Sequence, residues 1–90
     1  MIVRVAVRGL VQGVGFRWFA RERAQRLGLS GWVRNDPDGS VEIAVAGDEA
    51  KVEEYLAVIQ RGPAGARVDD VVRLPTAQLG AITGPFMVVR

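Results

Sequence analysis

The run GLVQGVGFR, residues 9–17, holds three glycines, one glutamine and a terminal arginine. Successive glycines can take positive φ and turn consecutive amides inward, which makes a cradle for an oxyanion. Glycines equally serve plain turn geometry, and the loop by itself is compatible with both. Arg17 shifts the balance towards an anion. It falls in or beside the first turn of a helix, where the macrodipole disfavours a cation by about a few tenths of a kcal/mol or more. An acid would suit that position, as Asp48-Glu49 do at a second helix start. A bound anion would supply the missing negative charge, and the planar guanidinium fork fits phosphate or carboxylate oxygens. The competing explanation is a local ion pair. The nearest carboxylate is Glu22, five positions on and on a different helix face.

Nucleotide-type phosphate loops do not fit. GxxxxGK[ST] fails for want of a Lys-Ser/Thr pair, and GxGxxG fails because Trp18 stands at the third glycine position. The 90 residues contain no histidine and no cysteine, so the usual general base, the commonest metal ligand and a thiolate nucleophile are all missing. The net charge of +2 is unevenly placed. Residues 1–35 carry seven arginines against Glu22 alone, whereas residues 36–90 carry five bases and nine acids. An anionic ligand should therefore meet the N-terminal third. Arg8, Arg21, Arg23 and Arg34 read as a solvated basic face that steers anions inward.

These residues need elements to position them. IVRVAVRG (2–9) alternates valines with arginines and reads as a half-buried strand. From Phe16 the apolar period becomes helical, with Phe16, Phe19, Ala20, Ala24 and Leu27 on one face and Gly28 as the stop. Residues 30–35 and 40–47 read as strands joined through the DPDG turn as a hairpin. Asp48 caps a second helix carrying Val52, Tyr55, Leu56 and Ile59, which ends at Gly62-Pro63. Residues 66–75 form an edge strand and residues 85–90 a short fifth strand. The order predicts a single α+β domain over residues 1–90. It is a ferredoxin-like split βαβ (βαββαβ plus a short fifth strand), with two helices packed on one face of an antiparallel sheet. Forty-nine per cent hydrophobic residues suit a folded globule. The longest apolar run falls far short of the roughly 18–20 residues that span a bilayer, and no signal-peptide pattern opens the chain. The expectation is a soluble cytoplasmic protein and a monomer. Eleven arginines to one lysine, a single asparagine and no cysteine suit a thermophile.

GLVQGVGFR is similar to the G-x-V-Q-G-V-x-F-R signature of the acylphosphatases, and GWVRN-x-x-DG (31–39) resembles their second conserved block. VEIAVAG (41–47) and GPAGARVD (62–69) also resemble family segments, so the likeness covers nearly the whole chain. The chain ends in arginine where animal members commonly have tyrosine. The resemblance implies that residues 9–15 form a phosphate-binding loop, with Val11, Gln12, Gly13, Val14 and Gly15 among the substrate-binding positions. It also implies that Arg17 is the phosphate-binding catalytic arginine and that Asn35 orients the attacking water. On local grounds alone, Asn35 is an ordinary residue before a turn.

The implied reaction is hydrolysis of an acyl phosphate to a carboxylate and inorganic phosphate, with no metal or other cofactor. A carboxylate leaving group has a pKa of about 4 and departs without a proton, which fits a chain lacking histidine and cysteine. The partner is then a small-molecule acyl phosphate, with neither nucleic acid nor membrane. Trp18 and Trp32 read first as core or rim packing and second as flanks for an acyl group. Two other readings use the same fold. An RNA-binding module would stack bases on aromatics of the central strands, yet the open-face positions Arg4, Ala6, Arg8, Glu42, Ala44 and Ala46 include none. A module that binds a small anion without turnover is the other.

Overall fold

A computed structural model describes residues 1–90. The elements run β1 (Ile2–Leu10), α1 (Phe16–Arg26), β2 (Ser30–Asn35), β3 (Val41–Ala46), α2 (Glu49–Arg61), β4 (Arg67–Leu74) and β5 (Met87–Val88). They build a five-stranded sheet in the order β4-β1-β3-β2-β5. The split-βαβ topology expected from the sequence is present, with β4 at one edge.

One expectation needs correction. The sheet is mixed, because β5 pairs with β2 in parallel through Trp32↔Met87 and Val33↔Val88. Strand β4 lies at the opposite edge, so residues 75–86 must carry the chain across the molecule before it can pair again. They deliver it alongside β2 and running the same way, a direction that sequence periodicity does not encode.

One apolar face of the sheet and both helices form a single cluster of 17 buried residues. Val3, Val5 and Val7 of β1, Val33 of β2, and Val41, Ile43 and Val45 of β3 all point into it. Phe16, Phe19, Ala20 and Ala24 come down from α1, and Val52, Tyr55 and Ile59 from α2. Each large side chain of this kind contributes about 1.5–3 kcal/mol on burial. The Tyr55 hydroxyl, inside the core, donates to the Ala20 carbonyl at 2.9 Å and so ties the helices together. Leu27 sits at the end of α1 and is only half-buried.

On the uncovered face, Glu42 is 3% exposed and lies between two arginines. Arg4 Nε donates to it at 2.6 Å and Arg34 Nη2 at 3.0 Å. Burial pushes the Glu42 carboxyl up, but the two guanidinium donors outweigh that and hold it below the ordinary glutamate range. Arg34 also stacks over Trp32, 5.3 Å from the ring centroid. Trp32 is therefore a half-buried residue of the open face and not a core aromatic. Nor do the four arginines read as a steering face act as one: Arg34 is held here, and Arg23 lies over the Phe19 ring.

Candidate active site

Residues 9–17 divide differently from the sequence reading. Gly9 and Leu10 are the last residues of β1, paired with Val68 and Arg67 across a register shift. A Cβ on Gly9 would run into the Arg67 carbonyl oxygen. This glycine is required by the close approach of β4 and not by a ligand. The loop proper is residues 11–15.

Within that loop Gly13 and Gly15 take φ of +77° and +76°. A Cβ at either would meet nothing within 4 Å, so the positive φ is what calls for glycine and the space beside each is open. Gly15 is the N-cap of α1, which makes no side-chain cap and has no acid in its first turn. Helix α2 shows the ordinary solution, with Asp48 accepting from the Lys51 amide at 3.3 Å. The consequence for α1 is unusual. No backbone or side-chain acceptor in the protein takes a hydrogen bond from the amides of Val11 through Trp18. The first intrahelical bond is from Phe19 to the Gly15 carbonyl, at 3.1 Å. A run of free N–H groups at a helix N-terminus is an anion site in both geometry and charge.

Six of the eight residues in this run line an open cleft of about 360 Å³. Val11, Gly13, Gly15, Phe16 and Arg17 contribute to its lining from the loop and α1, and Asn35 from the end of β2. Arg17 forms no ion pair, since Glu22 is taken by Arg26 at 2.8 Å and approached by Arg23 at 3.8 Å. The local-pair explanation for Arg17 therefore finds no partner. Asn35 Oδ1 is buried without a hydrogen-bond partner. Such an acceptor carries a desolvation cost of about 1–3 kcal/mol unless a ligand or water satisfies it.

Two of the expected binding positions do not turn their side chains to the cleft. Gln12 Nε2 donates to the carbonyls of Asp36 and Ser40, both at 2.8 Å, and so staples the loop to the β2–β3 hairpin. Val14 is half-buried and packs against the core. Either can offer a ligand its amide. Phe16, Val88 and Arg90, none of them expected at the site, also line the cleft, together with Arg21, expected on a general basic face, and Trp18, expected first in core or rim packing and second as a flank for an acyl group. Trp18 is 58% exposed on the cleft's edge. One signal was available: Arg17 and Arg21 are four apart on a helix, a spacing at which like charges repel.

The acylphosphatase family model matches residues 3–81. The chain belongs to the acylphosphatase family. It is 53% identical to an acylphosphatase of Caldivirga maquilingensis over 83 residues, covering 91% of this chain and 87% of that protein. An acylphosphatase of Synechococcus sp. is also 53% identical over 78 residues, covering 87% of this chain and 67% of its own. The fold superposes on the crystal structure of acylphosphatase from Bacillus subtilis with a TM-score of 0.90 and 34% identity, over the full length of both chains. Family membership accords with the cleft: both motifs that carry the resemblance, residues 9–17 and 31–39, send side chains or amides to it.

Proposed function

We propose that this chain hydrolyses the carboxyl–phosphate bond of acyl phosphates. The observation that carries the reading is the run of free amides from Val11 to Trp18, with the unpaired Arg17 among them and Asn35, whose Oδ1 has no partner, lining the same cleft. The phosphoryl oxygens lie against the amides and the Arg17 fork. Asn35 accepts a hydrogen bond from a water and aims it at phosphorus, opposite the scissile bond. The water oxygen forms a bond to phosphorus as the P–O bond to the acyl group breaks, and that electron pair leaves on the carboxylate. The water proton passes to a phosphoryl oxygen, so one acyl phosphate dianion and one water give a carboxylate and dihydrogen phosphate.

Phosphoryl transfer of this kind asks mainly for positioning and charge stabilisation. Neither a protonated leaving group nor a metal ligand is required by the scheme. The test is hydrolysis of benzoyl phosphate by pure protein in the presence of EDTA. Arg17→Gln should lower kcat/KM by about 10²–10³, as removal of a key oxyanion donor does. Asn35→Ala should lower kcat by about 10², the cost of a misplaced nucleophile. No turnover by the wild type, or full activity in both variants, defeats the reading.

A further inference from the structure

Resting on that reading, we infer that the site prefers acyl phosphates whose acyl group carries a second anion, and that Arg21 is the residue that recognises it. The phosphoryl group already has its counter-charge in Arg17, the loop amides and the roughly half-charge of the α1 N-terminus. The cleft nonetheless is lined by two more cationic side chains, those of Arg21 and Arg90, and none of its lining side chains is acidic. Neither arginine forms an ion pair, and Glu22, the acid beside Arg21 in the chain, is held by Arg26. Arg17 and Arg21 repel each other on one face of α1, an arrangement that costs stability unless anions separate them.

Size and direction agree with the charge. The cleft's volume of about 360 Å³ falls in the roughly 300–1,000 Å³ range of small-molecule pockets, so a phosphoryl group alone leaves much of it free. Arg21 stands one turn beyond Arg17, ~6 Å along the helix axis. An acyl chain with two methylenes between its carbonyl and a terminal carboxylate has a length comparable to that one-turn offset between the two backbone positions. Trp18 is 58% exposed on the same cleft, offering an indole face that those methylenes would cover.

The experiment compares kcat/KM for succinyl phosphate with that for butanoyl phosphate, which has the same number of carbons and no terminal charge. The wild type should favour succinyl phosphate by about five- to tenfold, as one charge-assisted contact at a half-exposed site provides. Arg21→Gln should bring the ratio close to one and Arg21→Glu should invert it, whatever loss the two rates share. A ratio near one in the wild type, or a ratio indifferent to both substitutions, with both substrates turned over, overturns this inference and leaves acyl phosphate hydrolysis standing. Turnover of neither substrate overturns both.

Discussion

Arg17, Asn35 and Gln12 illustrate three relations between a residue and its signal. Arg17 stands out in the sequence because a cation at a helix start contradicts the dipole, and the structure leaves it without a carboxylate partner. Asn35 is on local grounds one asparagine before a turn, marked out in the sequence only by the family resemblance; its buried and unpartnered Oδ1 becomes visible only once β2 is in place. Gln12 has the type and place of a ligand-binding residue, yet its amide nitrogen is spent on the Asp36 and Ser40 carbonyls. It is a positioning residue, linking the loop to the hairpin that begins next to Asn35. Gln12→Ala should therefore cost about 1 kcal/mol of stability, the net worth of such bonds, and should lower kcat more than it raises KM. Denaturant midpoints and steady-state kinetics separate the two effects. A change in KM alone would return Gln12 to substrate binding.

Among the elements, the two helices differ at their starts. Helix α2 begins with Asp48 and Glu49 and is built for stability. Helix α1 begins with a glycine and an arginine and leaves its first amides unclaimed, which makes it a ligand site at some cost to itself. The strand that feeds it ends in a glycine of another kind. Gly9, at φ +134°, lies where the β4 backbone crosses, whereas Gly28, at φ +69°, closes α1 with open space around it. Gly9→Ala should cost about 3–5 kcal/mol from backbone strain together with overpacking. Gly28→Ala should cost only about 1–2 kcal/mol, the penalty of a left-handed alanine. Urea midpoints for the two variants check the contrast, and equal losses would remove the β4 contact as the reason for Gly9.

At the scale of the whole molecule, Glu42 ties β1, β2 and β3 together across the uncovered face through Arg4 and Arg34. Its folded pKa lies below the unfolded value of about 4.3. The stability it adds is complete above that pH and is lost as acid titrates the folded carboxylate. Asp38, held low by the Ser40 hydroxyl and amide, loses its share in the same direction. The protein should keep a level stability near neutrality and weaken steeply below about pH 4. Glu42→Gln should remove about 1.5–3 kcal/mol at pH 7, as loss of a charge-assisted buried acceptor does, and should flatten the acid limb. Denaturation curves at pH 7, 4 and 3 report both; an acid limb unchanged in the variant would count against the pair. Sequence periodicity determined the helices, the first four strands, the hairpin and the βα loop with its arginine, because period, caps and turn residues are local properties. The tertiary structure decided the parallel β5, the place of Gly9 under β4, the staple from Gln12 and the meeting of Arg17, Arg21 and Asn35 on one cleft. Those depend on contacts between residues far apart in the chain, which form only when the helices and sheet pack on their shared core.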